Sequence, residues 1–408
     1  MNKDKNYPYL RIACSYKKII EKPLMSGDTI TVLENWTKEA IRDDHPDDKN
    51  IIRKIPKYHG TIVFPDHINY KREIDNFYNL YEPLLFEPKE GSCDKILMFL
   101  THIFQNQIEL GLDYISILYL YPNQHLPILC LISRARKTGK STFLELLKAI
   151  FGANMTLNFT PDLQSTFNSD LAGKLIIAAE EVLFTRLEDT ERFKYLSTTR
   201  SFKSQAKFKD REEIYFFGKF ILLSNHEENF IKIEQGEDRF WVIKVKPFEN
   251  EIVGLIDEMK KEIPQFLHFL LNRNISKPNA TRLWFEFKDY ETRALKRVIN
   301  HNKNKLELEL VNIFIMILEN FNEDKLCFQP LDLANFLSKS YQKTDLSEIR
   351  KLLKEKWQLK PAPNSLAYKR YILLSDGSFT YNNEKGRYYL IDRSWLKENY
   401  DDLMKNMD

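Results

Sequence analysis

The chain has 408 residues, 61 Lys and Arg against 58 Asp and Glu, a formal net charge of +3, and 28 Phe and 20 Tyr among its apolar residues. That length holds about two or three domains with ample core, and so small a net charge leaves nucleic-acid binding to be argued only from local clusters of cations. Cys14, Cys93, Cys130 and Cys327 lie far apart, which excludes a disulfide scaffold and a zinc knuckle; buried thiols in a reducing compartment are expected.

From the N-terminus, MNKDKNYPYLR lacks an apolar signal core, and the longest apolar runs, such as residues 313–318, are too short to cross a bilayer. A cytoplasmic protein without a membrane partner is expected. Residues 1–75 mix short apolar runs with prolines and the polar stretch RDDHPDDKN, a small structured lead-in followed by a loop. Residues 76–88, NFYNLYEPLLFEP, form an irregular aromatic strap. Residues 94–106 and 113–121 then carry apolar side chains at helical spacing, and a helical collar over 76–122 is expected beside the next element.

That element is LCLISRARKTGKSTFLELLKAIFG, residues 129–152: an apolar strand, a basic loop and an amphipathic helix closed by Gly152. Such a loop wraps phosphates with successive backbone N–H groups and a helix N-terminus, while a lysine reaches the β- and γ-phosphates and the next hydroxyl ligates Mg²⁺. Thr138, Gly139, Lys140, Ser141 and Thr142 hold those positions, with Ser141 the hydroxyl for Mg²⁺ and ATP the expected ligand. Arg134 stands where the pattern G-x-x-x-x-G-K-[ST] has a glycine. A chance GKST on a surface helix is the plain alternative.

Residues 174–179, KLIIAA, read as a second strand ending in Glu180 and Glu181. Acids at the carboxyl end of a strand beside a phosphate loop hold the Mg²⁺ shell and polarise the attacking water; Glu180 is assigned to the metal and Glu181 to the water, with the reverse order open. FGKFILLSN, residues 217–225, reads as a buried strand ending in Asn225, an amide able to sense the γ-phosphate, or else the start of a turn. Arg239 begins the strand 240–245. It is either ion-paired with Asp238 or a finger inserted into a neighbouring subunit's ATP site. Between the acids and Asn225, residues 200–211 (RSFKSQAKFKDR) interleave cations with Phe202 and Phe208, a composition suited to single-stranded nucleic acid.

The order of these pieces, Thr138 to Thr142, Glu180-Glu181, the basic hairpin, Asn225 and Arg239, resembles the superfamily three helicases, and more narrowly the helicase part of primase-helicases of phages and mobile elements. The resemblance covers most of residues 60–250. It implies an AAA+-like ATPase that works as a hexameric ring on single-stranded or forked DNA, with Lys207, then Lys209 and Lys203, gripping one strand in the channel. Any primase is expected to be a separate protein or to have been removed, and a separate primase or polymerase is a candidate partner.

Beyond residue 264, helices are expected at 306–318, 331–341 and 345–357, followed by a hairpin of 371–374 with 386–391. Three helices and a hairpin make a winged helix, a DNA- or protein-binding module. The expected fold is α/β: lead-in 1–75, helical collar 76–122, P-loop AAA+-like ATPase core 123–270 and C-terminal winged-helix domain 271–408. The rivals to a helicase are a DNA-binding initiator or defence ATPase that does not unwind, and a small-molecule kinase.

Overall fold

Several apolar runs in this chain show no alternation, and the fold gives the reason: the strands they form are covered on both faces. The computed structural model describes residues 8–23, 29–158, 171–184, 187–204, 212–234, 236–248, 254–302, 305–338, 346–374 and 378–404. Five strands make one sheet in the order Phe240–Lys244, Ile128–Ile132, Lys219–Ser224, Ile176–Ala179, Met155–Asn158, and every neighbouring pair is parallel. Because side chains alternate along a strand, Leu129, Leu131, Ile221 and Leu223 enter one core, while Ile128, Cys130, Ile132 and Leu222 enter another.

The first core is closed by the helices Lys140–Phe151, Asp94–Phe104, Ile108–Leu120 and Ile263–Asn272. Leu144, Leu146, Leu147 and Ile150 supply the sheet-facing side of Lys140–Phe151, as their spacing demands. That helix ends at Gly152, whose φ of 53° suits a residue without a Cβ. Ile108–Leu120 is buried around nearly its whole circumference, so the two helices expected as a collar are part of the layer that covers the sheet. The second core takes Phe193 and Leu196 from helix Leu187–Leu196 and Leu295 and Val298 from helix Arg293–His301.

The acidic strand Ile176–Ala179 is separated from the loop strand Ile128–Ile132 by Lys219–Ser224, which pairs with both.

The lead-in is a four-stranded sheet, Thr29–Trp36, Ser15–Pro23, Tyr9–Ile12 and Lys57–Tyr58 in that order. It carries the helix Lys38–Asp44, capped by the Thr37 side chain, and has a small core of Tyr9, Tyr16, Ile41, Ile51 and Ile55. In the strap after it, the fully buried Asn79 amide serves four backbone groups, at Phe64 N and O, Lys71 O and Tyr81 N, and so satisfies an irregular backbone.

The chain divides into two compact units, residues 1–302 and 303–408, so 271–302 belongs with the sheet. In the second unit, Lys305–Asn320, Pro330–Ser338 and Leu346–Lys351 are helices, the last widening through Leu352–Lys356. The expected hairpin is corrected: Leu366–Leu373 pairs with Phe379–Gly386, and Tyr389–Asp392 pairs with Lys325–Phe328. Phe379–Gly386 is exposed along almost its whole length and therefore carries no apolar alternation to announce it. Of the cysteines, Cys93 and Cys130 are buried but Cys14 is exposed, against expectation; all four are free. Among the described residues, no helix is long and apolar enough to cross a membrane.

Candidate active site

In an all-parallel sheet the carboxyl ends of the strands share one edge, where ligands of α/β proteins collect. Four of these five ends carry candidate residues or stand next to one. Ile132 leads into the loop 133–139, Ala179 into Glu180, Ser224 into Asn225, and Lys244 lies in register with Ile132.

The loop turns into its helix at Gly139, with φ 82° and ψ 5°, and Lys137 before it has φ 57°. A Cβ at Gly139 would stand 2.9 Å from Phe248 and 3.1 Å from Phe99, so both conformation and space require glycine there. Arg134 is not among the residues of positive φ, and its position makes no conformational demand for glycine. Thr138 is buried, Ser141 exposed, and Thr142 half-buried. Lys140 is 8% exposed, and its Nζ donates to Ser133 O at 3.1 Å. Burial lowers the Lys140 pKa below the ordinary lysine value, and the carboxylates of Glu227 and Glu180 act against that shift.

Beside the loop lies a cavity of about 230 Å³, lined by Lys137, Gly139, Thr142, Phe248, Gly254, Leu255 and Ile256. Phe248 is fixed there by its N–H to Lys137 O at 3.2 Å and by a stack on His102 with ring centroids 3.7 Å apart. His102 Nε2 is 3.1 Å from Thr138 O; a carbonyl only accepts, so this nitrogen carries the proton.

Glu180 is half-buried and acts electrostatically on Lys140, whereas Glu181 is exposed and has φ 53°. Asn225 is exposed at the end of its strand. Ser224 beneath it is buried and ties three segments together: its carbonyl accepts from Ser133 N at 3.1 Å, its hydroxyl donates to Val182 O at 2.7 Å, and the same hydroxyl accepts from His226 N at 3.1 Å.

Arg239 sits apart from this group. It precedes Phe240, which pairs with Ile128, so it lies at the amino edge of the sheet, about 20 Å from the start of the loop by the rise of a strand. Its expected pairing with Asp238 is corrected. Arg239 Nη1 meets Glu237 Oε1 at 2.7 Å, and Glu237 also meets Lys194 at 2.9 Å, whereas Asp238 faces Arg282 at 3.6 Å. Burial alone would raise the Glu237 pKa, but the hydrogen bonds from Lys194 and Arg239 outweigh it and hold the carboxyl below its ordinary value. In the hairpin, Ser201–Ser204 pairs with Glu212–Tyr215 and places Lys203 opposite Glu213. Lys207 and Lys209 lie outside the described residues.

Residues 131–239 match the model of a family of unknown function (DUF5906), a span that holds every candidate residue named in the sequence analysis. The chain is also 27% identical over 226 residues to a "DNA Primase-polymerase" of Nitratiruptor phage NrS-1, a match covering 53% of this chain and 31% of that protein. An apo structure of the NrS-1 C-terminal region superposes with a TM-score of 0.63 at 15% identity, covering 93% of this chain and 95% of that one. A second, in the A form, gives 0.61 at 16% identity, covering 95% and 96%. These structural likenesses are likenesses of fold.

Three features escaped the sequence analysis. His102 and Phe248 close on the loop from elements far away in the chain, and nothing local marks them. Ser224 reads as a strand or turn residue in the sequence, which does not show its bonds to the two neighbouring segments. Glu227, two positions beyond Asn225, accepts from Arg134 N at 3.0 Å and pairs with Lys244 Nζ at 2.6 Å; burial alone would raise its pKa, but these two contacts lower it.

Proposed function

We propose that the chain is an ATP hydrolase that drives translocation on DNA, a helicase of superfamily three type serving replication of a phage or mobile element. The observation that carries this is the Ser133-to-Lys140 loop at the carboxyl edge of a parallel sheet, with a cavity beside it, Glu180 and Asn225 on the same edge, and Arg239 on the opposite one. The likeness to part of a phage primase-polymerase supports the replication context.

ATP fits this edge by its donors. The first N–H groups of helix Lys140–Phe151 have no partner within the helix, Lys140 supplies a cation, and the cavity beside Gly139 has the mixed lining of a base-sized site. Mg²⁺ fits as well: the Ser141 hydroxyl and the Glu180 carboxylate are hard oxygen donors, and Mg²⁺ ordinarily takes one or two protein ligands and completes its shell with phosphate oxygens and water. Among the described residues no group of three or more His, Cys, Asp or Glu could hold a metal alone, which suits an ion that arrives with nucleotide. When bound, Mg²⁺ would neutralise charge on the β- and γ-phosphates.

The chain's own groups divide the remaining work. Lys140 and the loop N–H groups orient the triphosphate, Glu181 polarises water with Glu180 as the alternate, and Asn225 bonds the γ-phosphate or that water. Lys203, Lys207 and Lys209 on the basic hairpin carry contacts to single-stranded DNA, with the half-exposed Tyr215 at its root as an aromatic face. The second unit, with its three helices and exposed ribbon, serves as a winged-helix module, and the working assembly is a homo-oligomer, a hexameric ring.

Strand displacement measured beside ATP hydrolysis, with and without single-stranded DNA, tests this. DNA-stimulated hydrolysis with displacement is expected. Hydrolysis and DNA binding without displacement would favour an initiator or switch, and no hydrolysis would remove the ATPase assignment. Lys140→Ala is expected to abolish nucleotide binding at concentrations that saturate the wild type.

A further inference from the structure

The peptide unit joining Ser133 to Arg134 is held at both ends. Its carbonyl oxygen, on Ser133, accepts from Lys140 Nζ at 3.1 Å; its N–H, on Arg134, donates to Glu227 Oε1 at 3.0 Å. A trans peptide is planar, with N–H and C=O pointing in opposite directions, so a group that fixes one end also aims the other. The second oxygen of Glu227 meets Lys244 Nζ at 2.6 Å, and the Glu227 side chain is only 12% exposed. Glu227 follows the strand on one side of the loop strand and Lys244 ends the strand on the other, so the pair bridges the point where the chain leaves the sheet.

We propose that Glu227 is a positioning residue of the nucleotide site: by holding the Arg134 N–H it orients the Ser133 carbonyl, and through that carbonyl it aims the Lys140 ammonium at the phosphates. This rests on the nucleotide assignment made above.

The arrangement explains two features of the loop. Arg134 takes the place of a glycine at no conformational cost, since what the position contributes is a backbone N–H at non-positive φ, and its side chain is exposed. A carboxylate is tolerated near an anion site because Lys244 balances its charge. An ammonium has three protons to distribute, so bound phosphates share Lys140 with Ser133 and weaken its grip on the peptide. Glu227, held from outside the loop, does not depend on the ligand.

The test uses the full chain with Mg²⁺ and a fluorescent N-methylanthraniloyl derivative of ATP, followed by steady-state hydrolysis. Glu227→Ala removes a charge-assisted hydrogen bond to a backbone amide, and the dissociation constant is expected to rise about tenfold, with KM rising in step and kcat changing less than about twofold. Glu227→Gln keeps an oxygen that can accept from Arg134 N and is expected to recover most of the affinity. Lys244→Met leaves the loop untouched but releases the carboxylate from its holder, and is expected to weaken binding about threefold; this variant serves where Glu227→Ala fails to fold. Unchanged or tighter binding in Glu227→Ala, equal loss in Glu227→Ala and Glu227→Gln, or no weakening in a folded Lys244→Met would each overturn the proposal alone. A wild-type chain that does not bind the ATP derivative would overturn the nucleotide assignment and this proposal with it.

Discussion

Glu181 occupies the left-handed region at φ 53°, where an L-residue with a Cβ is strained by about 1 kcal/mol or more. A glutamate kept there while glycine would relieve the strain suits a side chain used for chemistry. Glu181→Gly is therefore expected to stabilise the fold by about 1 kcal/mol and to lose hydrolysis while retaining ATP binding, and Glu181→Gln to lose hydrolysis without the gain in stability. Denaturant unfolding and turnover measured on the same preparations check this. Normal turnover in Glu181→Gln with loss in Glu180→Gln would transfer the water-polarising role to Glu180, the half-buried acid whose charge acts on Lys140. Residues of this kind were legible because they follow an apolar strand in the sequence. Glu227 was not, since its role is created by a backbone amide 93 positions away, and no local pattern carries such a relation.

At the scale of elements, legibility followed burial. The strands Ile128–Ile132, Ile176–Ala179, Lys219–Ser224 and Phe240–Lys244 are buried on both faces and were marked by unbroken apolar runs. Met155–Asn158, a short edge strand with only Met155 fully buried, and the exposed ribbon strand Phe379–Gly386 had no such mark. The strand Lys219–Ser224 also begins with a buried lysine that periodicity does not reveal. Lys219 donates to Pro122 O, and burial pushes its pKa down to about 7. Its folded pKa is below the ordinary lysine value, so the folded state sheds this proton first; the penalty is fully present below pH 7 and is relieved as pH rises toward 10.5. Lys219→Met is expected to be more stable than wild type by on the order of 1–3 kcal/mol at pH 7, with the gap narrowing by pH 10 in denaturant unfolding. A constant gap would mean that Lys219 keeps its charge and an ordinary lysine pKa in the folded state. The basic hairpin has a separate test. Alanine at Lys203, Lys207 and Lys209 together is expected to weaken single-strand binding irrespective of sequence and to flatten its salt dependence by up to about two units of slope, since each phosphate contact releases counterion. An unchanged salt slope would remove the hairpin from the DNA path.

For the molecule as a whole, the question is whether one chain contains a complete site, and Arg239 decides it. The loop with Lys140 lies at the carboxyl edge of the sheet and Arg239 at the amino edge, so a single subunit cannot bring them together without breaking the sheet. Two roles remain for Arg239. As a partner of Glu237 it belongs to a structural cluster with Lys194, and its removal should cost on the order of 1–3 kcal/mol of stability and leave turnover per folded molecule intact. As a finger it completes a neighbour's site, where a trans-acting arginine contributes about 10³ to 10⁵ in rate, and its removal should abolish hydrolysis while ATP still binds. Mixing experiments separate the roles, because Arg239→Ala and Lys140→Ala damage opposite sides of an interface and some mixed interfaces pair an intact Lys140 with an intact Arg239. Recovery of hydrolysis on mixing two inactive proteins is the expected outcome and requires a shared site. Absence of recovery in mixtures shown to co-assemble would return Arg239 to its own subunit, as the partner of Glu237.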